Sequence, residues 1–479
     1  MDKKVIKNYL YNLIYQILII ITPLFTSPYI SRVLHSDGVG IYSYTSSIAM
    51  TFSLFAALGV NSYGQREIAA SREDATKCSL VFWELTILRF FTTVVVSVVY
   101  LYVCAVSKEY SIYLLQNYFI IAAVMFDISW YYQGLEDFKV VVIRNILVRL
   151  AAIACIFLLV KDESDVGLYI LINAVSAFAS NLFFLFRLNQ TLVPVKWHEI
   201  NLMRHCKGVI QFFIPLVAVQ IYSQVDKIML GSIAGSDTEN GFYEQARKIT
   251  NLVVVLITSL NTVLFSRMSH LFAHQRKDEM VDTYKESFRI TLLLLVPISV
   301  GLFLIADEFA VWFFGAEFAK VAVLIKLSCP LVVFMCVGNF VGMQYLGPTG
   351  GQNKMTAIYV IAACLNVVLN FLMIPKLLSI GAMIASVAAE ACSCFLQVWL
   401  MKRSEYNFKM LQGAWKYGLA AAAMAGAIWL FNAQVPVSGM VETLADILLG
   451  AASYFAVLLL LKEESLIGLA GKLLAKIKK

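Results

Sequence analysis

The sequence predicts an all-α integral membrane protein of about fourteen transmembrane helices. Three observations predict it. Of 479 residues, 60% are hydrophobic and 14% are charged, and the mean hydropathy is +0.76, values outside the range of a water-soluble domain. Apolar runs of roughly 20 residues, enough for a helix to cross a hydrocarbon core, recur from end to end. These runs are apolar on all sides and longer than the roughly ten-residue alternating strands of a membrane β-barrel.

The runs fall near residues 8–32, 40–63, 79–106, 113–134, 140–160, 166–188, 209–233, 242–266, 288–306, 321–346, 355–374, 380–401, 414–432 and 441–461. The first follows the basic start MDKKVIK, as a secretory signal would. It is too long for one and no small-x-small cleavage site follows, so it reads as an anchor. It carries amides at Asn8, Asn12 and Gln16, spaced i, i+4, i+8. The second opens on Gly-x-Tyr, the third carries Glu84 and Arg89, the fourth Asp127 and the fifth Arg149. The seventh holds Pro215, Asp226 and Lys227, the eighth Arg247 and Lys248, and the tenth Lys326. Asn366 and Asn370 lie on the eleventh and Glu390 on the twelfth, and the last run precedes the basic tail GKLLAKIKK, an interfacial segment suited to anionic lipid. The connecting loops are short, so function must reside in the membrane.

Lysine and arginine set the orientation. With the N-terminus cytoplasmic, one side collects Lys3/Lys4/Lys7, Arg66/Arg72/Lys77, Arg187/Lys196/Arg204/Lys207, Arg276/Lys277/Lys285, Lys402/Arg403/Lys409 and the tail lysines. The other side offers little beyond Lys108, Lys161, Lys320 and Lys376. This is the positive-inside pattern, and an even number of spans then puts both termini in the cytoplasm. The formal charge of +7 follows mainly from that bias and calls for no nucleic acid. The cysteines lie mostly inside apolar runs without CxxC spacing and read as small core hydrophobes. His270 and His274 are one helical turn apart but have no evident third ligand nearby, so no metal or cofactor is expected.

The chain also repeats itself. GIYSYTSSI at Gly40 and GFYEQARKI at Gly241 share Gly-x-Tyr, and Gly40/Gly241, Tyr42/Tyr243 and Arg66/Arg267 are each 201 apart. TPLF at Thr22 and IPLV at Ile214 put a proline about halfway along the preceding runs, with Arg32 and Lys227 following. Two homologous halves of six helices are therefore expected, with a further pair appended: 1–200, 201–408 and 409–479. Because six is even, the repeats are parallel and related by an axis along the membrane normal, an architecture that suits alternating access.

Charges inside spans cost on the order of 2.5–3.5 kcal/mol at a helix centre, so they should face protein or a water-filled cavity. Adjacent helical residues diverge by about 100°, so Asp226 and Lys227 are poorly placed as partners. The reading is that Lys227 faces a cavity while Asp226 pairs with a neighbouring helix. A cavity with surplus cations favours an anion.

FDISWYYQGLEDFK, Phe126 to Lys139, resembles the Asp-x-Ser-Trp-aromatic-aromatic-Gln-Gly-Leu-Glu segment of bacterial polysaccharide repeat-unit flippases, the Wzx-type O-antigen and capsule transporters of the MATE-like MOP exporter superfamily. SPYISRVLHSDGVGIYSYTSSI, QVDKIMLGSIAGSDTENGFYEQARKI and LGPTGGQNK are similar to other segments of that family, so the resemblance covers essentially the whole chain. It departs at His35, where a small residue is commoner. The resemblance implies two six-helix lobes plus two helices, and movement of an undecaprenyl-pyrophosphate-linked oligosaccharide from the inner to the outer leaflet of the cytoplasmic membrane. It also implies partnership with polysaccharide polymerase and chain-length machinery. On this reading Arg32, Arg89, Arg149 and Lys227 are the cavity cations, and Asp127, Asp226, Arg247, Lys248, Lys326 and Glu390 are further cavity or coupling residues.

Two rivals remain. A multidrug exporter of the same fold would carry organic cations in an acidic cavity, whereas the spans here hold more Lys and Arg than Asp and Glu. A polysaccharide polymerase or ligase would need catalytic groups on a long external loop, and no loop is long enough. There is no nucleotide-binding glycine loop, nucleophile elbow or metal-ligand cluster, which leaves an ATP-independent carrier and no enzyme. Ion coupling stays open, because Asp127, Asp226 and Glu390 could carry protons or hold arginines.

Overall fold

The computed structural model describes residues 3–184, 188, 192–403 and 413–468; side chains are described from residue 17 onward, except at 138, 218, 219, 221, 222, 260, 262 and 263. The lysines of the N-terminus and tail, the amides Asn8, Asn12 and Gln16, and Arg187 and Lys409 lie outside the described side chains. The α-helices are α1 (Lys3–Ala57), α2 (Val60–Ser71), α3 (Ala75–Val106), α4 (Ser111–Met125), α5 (Ser129–Gly134), α6 (Phe138–Leu159) and α7 (Val166–Leu182). They continue as α8 (Met203–Met229), α9 (Asp237–Ala273), α10 (Lys277–Phe314), α11 (Ala319–Val341), α12 (Gln352–Lys402), α13 (Trp415–Gln434) and α14 (Gly439–Leu460). No strand occurs among the described residues. The protein is an all-α, multi-pass membrane protein.

Among the described residues, nine helices are long and apolar enough to cross a membrane, or ten when a bent pair in α9 counts as one span. Two of the nine, at 17–71 and 352–402, are 55 and 51 residues long, about twice what one crossing needs. Each contains two of the expected runs, and the helix is interrupted at one non-helical residue: His35 (φ 55°, ψ −175°) in α1 and Leu378 (φ 54°, ψ −130°) in α12. A straight helix would separate residues 373 and 381 by about 12 Å. Instead, a Cβ placed on Gly381 would stand 2.6 Å from the Met373 carbonyl oxygen, so the chain doubles back there and glycine is what lets the two arms meet. His35, the departure from the family pattern, falls on the corresponding break of α1. Histidine is among the residue types that enter positive φ most readily.

Other runs are broken where sequence shows only continuous apolarity. Leu58 and Gly59 take positive φ and separate α1 from α2. Residues 126–128 separate α4 from α5. α8 and α11 both run on into π turns, Leu230–Ala234 and Gly342–Leu346.

The helices are apolar outside and polar inside. On α3, Phe91, Val95, Val98, Tyr102 and Val106 are exposed in one stripe, while Glu84, Arg89, Thr93 and Ser97 are buried on another. The outward stripe is the surface a lipid-facing helix presents; on the inward one Glu84 and Arg89 are bonded to other helices, while Thr93 Oγ1 and Ser97 Oγ have no hydrogen-bond partner among the described residues.

The chain forms two compact units, Met1–Gly241 and Phe242–Lys479. In the first, α4 packs against α1, α3 and α7, and α8 lies along α1 and α2. In the second, α11 packs against α10 and α12, and the α13–α14 pair packs on α10. Compactness groups α8 with the first unit, whereas repeat register groups it with the second half.

The hairpin in α12 gives a direct test. Gly381→Ala should lower stability by about 1–3 kcal/mol, the usual cost of overpacking. Gly418→Ala, where an added Cβ meets nothing within 4 Å, should be neutral or slightly stabilising. Thermal unfolding of the purified variants in detergent measures both.

Candidate functional site

The motif Phe126–Lys139 folds into a bonded knot in the first unit. Asp127 sits in the break between α4 and α5, and its Oδ1 accepts the N–H of Ser129 at 3.1 Å. Trp130 Nε1 donates to the Asp127 carbonyl at 3.1 Å. Arg89, 1% exposed, reaches across from α3 to the same carbonyl, donates to Asn61 Oδ1 at 2.5 Å and lies 3.8 Å from Asp127 Oδ2. Asn61 Nδ2 completes the ring by donating to Asp127 Oδ2 at 3.2 Å. Around it, Phe82 packs on Trp130 and Tyr131, and Tyr132 stacks on Phe184. The most specific string in the sequence therefore holds helices together, and in this structure Arg89 is enclosed by it.

A second node ties the start of α8 to α3. Glu84 is fully buried and accepts from Asn201 N at 2.7 Å, Arg204 Nε at 2.8 Å and Nη2, with His205 Nε2 at 2.7 Å. His205 Nδ1 in turn lies 2.9 Å from Tyr63 Oη on α2. Arg144, also buried, lies 4.0 Å over Phe184 and donates to Asn181 Oδ1 at 2.9 Å. Sequence reasoning flags Glu84 as a costly charge but not its partners, and it passes over Arg144 altogether.

The repeat glycines meet. A Cβ on Gly40 would stand 1.8 Å from the Asp237 carbonyl oxygen, and one on Gly241 would stand 2.1 Å from that of Ser36. Since 237 − 36 and 241 − 40 both equal 201, each glycine faces the counterpart of the residue that faces the other. Such reciprocity is what a two-fold relation between the segments 36–40 and 237–241 produces. Thr238 Oγ1 donates to Asp37 Oδ1 beside it. Ser43 donates to Asn240 Oδ1 at 3.1 Å, and Asn240 Nδ2 donates to the Lys227 carbonyl at 2.9 Å. The backbone that carries Lys227 is thus held by this contact.

Asp226 and Lys227 diverge. Asp226 is 1% exposed while Lys227 is half-buried, and both engage partners. Arg149 is exposed near the middle of α6. The apolar stripe of that helix, Ile143, Leu147, Leu150 and Leu158, is exposed on another side; at 100° per residue Arg149 points about 140° away from it. It is an exposed cation on a different side of α6 from that stripe. Arg32 is exposed three residues before His35 and donates to the Pro28 carbonyl at 3.3 Å.

In the second unit Arg247 is buried and has partners. Lys248 pairs with Glu244 at 3.5 Å and Lys326 with Asp307 at 2.5 Å, acids that sequence alone does not assign to them. Glu390 is half-buried on α12 and has partners. Asn366 and Asn370 are fully buried and bond each other at 3.1 Å. His270 and His274 stack with ring centroids 4.1 Å apart.

Paired and broken spans, polar helix interiors and cations mid-membrane define a membrane carrier of the MATE-like type. The lipid II flippase MurJ, in an inward closed conformation, superposes with a TM-score of 0.66 at 14% identity, covering 94% of this chain and 98% of that one. An inward-facing multidrug resistance MATE family transporter of the MOP superfamily gives 0.62 at 14% identity, covering 77% and 93%. At that identity the likeness is one of fold. The polysaccharide biosynthesis protein family model matches residues 5–272, more than half of the chain, and the MatE model matches residues 213–375. The chain belongs to the polysaccharide biosynthesis protein family. It is 22% identical over 390 residues to the "Putative O-antigen transporter" of Escherichia coli (strain K12), covering 80% of this chain and 93% of that protein.

The two mid-span arginines should behave differently. Arg89→Ala strips Asp127 and Asn61 of a buried charged partner and should cost about 3–5 kcal/mol, lowering the amount of folded protein. Arg149→Ala breaks no bond to a described residue and should leave abundance near normal. Membrane abundance and melting temperature of the two variants check this.

Proposed function

We propose that the protein flips undecaprenyl-pyrophosphate-linked oligosaccharide repeat units from the inner to the outer leaflet of the cytoplasmic membrane. The observation that carries the reading is Arg149, a cation exposed near the middle of α6 on a different side from Ile143, Leu147, Leu150 and Leu158. Lys227, half-buried at the end of α8, adds a second. Guanidinium and ammonium groups in a water-filled, low-dielectric space bind a pyrophosphate strongly, through paired N–H donors and point charge respectively. The family membership and the relatives named as transporters or flippases support a lipid-linked glycan as cargo.

In this reading the halves 1–200 and 201–408 form two lobes around a central cavity, with 409–479 appended, and they rock to expose the cavity to each leaflet in turn. Arg32, Arg149 and Lys227 engage the pyrophosphate. Arg89 and Asp127 hold the first lobe rigid while Asp226 anchors α8. Lys248, Lys326, Arg247 and Glu390 serve as pairs within the second half. The oligosaccharide follows the headgroup through the polar space, and the polyprenyl chain stays in lipid. Transport needs no nucleotide. Polymerase and chain-length machinery receive the product outside.

Two measurements test this. With both termini cytoplasmic, a cysteine at Ser236 should react with an impermeant thiol reagent in intact cells. Reaction only after permeabilisation would reverse the orientation. Lys227→Ala should insert at normal abundance but lose export of repeat units, Lys227→Arg should retain part of it, and Asp226→Ala should lower abundance because a buried carboxylate's partner is left behind. Surface polysaccharide measured beside membrane abundance decides; full export by Lys227→Ala would remove the lysine from the mechanism.

A further inference from the structure

The second unit contains a groove of about 370 Å³ lined mainly by α10, α13 and α14. Its walls are apolar, among them Pro297, Ile305, Met424, Ile447 and Phe455, and among the residues lining it stands one ionisable side chain, Asp446. Asp446 is 3% exposed. Its Oδ2 accepts from Asn432 Nδ2 of α13 at 3.2 Å, and its Oδ1 has no hydrogen-bond partner among the described residues. Asn432 supplies a bond but no countercharge.

Two further carboxylates lead to it. Glu308 of α10 accepts the N–H of Gly439, the first residue of α14, at 3.2 Å. Glu442 lies one turn along α14, close enough to Glu308 and Asp446 to feel both charges. Asp446 lies one turn beyond that. None of the three is ion-paired with a Lys, Arg or His among the described residues; Lys285 and Arg289 of α10 pair with Asp282 and Glu464, Lys416 of α13 with Glu463, and Lys326 of the neighbouring α11 with Asp307. At 1.5 Å per residue the acids descend about 10 Å from the loop end of α14, and the apolar wall continues roughly 13 Å further to Phe455.

We propose that this groove binds a lipophilic cation, with an ammonium head on Asp446 and a hydrocarbon body along Ile447 to Phe455. An alkyl body matches the apolar walls. A positive head offsets the negative charge of Asp446 and of the two carboxylates that lead to it, which an anionic or neutral lipid would not do. The site shares no residue with the cationic groups at Arg149 and Lys227, and it selects the opposite charge.

The test uses the full chain in phosphatidylcholine nanodiscs at neutral pH, with a dodecyltrimethylammonium probe carrying a diazirine near its chain end. Dodecanol and dodecyl sulfate probes with the same diazirine serve as controls, and labelling of α14 is quantified by mass spectrometry. The cation should label α14 about fivefold or more above either control, and Asp446→Asn, which keeps the shape and removes the charge, should abolish the difference. Gly301→Leu should also cut labelling about fivefold, by filling the groove. An added Cβ there meets only Met424 Cε, at 3.9 Å, and leucine favours the helix over glycine, so this variant tests the groove even where Asp446→Asn folds poorly. Equal labelling by all three probes, preference for the sulfate, or unchanged cation labelling in Asp446→Asn would each overturn the proposal.

Discussion

Hydrocarbon offers no hydrogen-bond partner, so most of the bonding that polar groups on these helices find is supplied by the chain itself. Arg89 shows how much structure that constraint organises. Its guanidinium takes the Asp127 carbonyl and Asn61, Asp127 then holds Ser129 at the start of α5, and α5 carries Trp130, Tyr131 and Tyr132 into the core. Glu84 does the same for the start of α8 through Arg204 and His205. An arginine and a carboxylate that cost several kcal/mol each if left alone thereby fix five helices of the first unit. The constraint also sorts the charges. Arg89 and Glu84, enclosed and bonded, build the fold, whereas Arg149 is left exposed.

The contact at Gly40 and Gly241 is of a different kind. It is made by backbone against backbone, in the manner of small residues where membrane helices approach closely. Without side chains in the way, carbonyls of Ser36 and Asp237 come against the facing glycines, and Thr238, Ser43 and Asn240 add hydrogen bonds at the rim. Because Asn240 also holds the Lys227 carbonyl, the position of that lysine is coupled to the joint.

Charge is segregated along the chain. Cations at Arg149 and Lys227 belong to the first unit, while Glu308, Glu442 and Asp446 gather at the loop end of the appended pair and α10. The groove they border shares no residue with Arg149 or Lys227.

Composition and run length determined the class, the helical content and the approximate spans, because crossing a hydrocarbon core is a requirement on residues adjacent in the chain. The 201-residue offset was also present in the string, and it recurs in space as the reciprocal glycine contact. The breaks at His35 and Leu378 fall in the gaps between the expected runs, at 33–39 and 375–379; what was not legible is that each gap is closed to one non-helical residue within a continuous helix. The role of Arg89 was not legible either: a mid-span arginine reads the same whether it lines a cavity or is sealed in a knot. Its partners lie 28 and 38 residues away, and those of Glu84 about 120 away. Hydrophobic length is a local property that sequence carries by itself. Whether a charge is enclosed or accessible depends on which distant helices pack around it, and only the tertiary structure decided that.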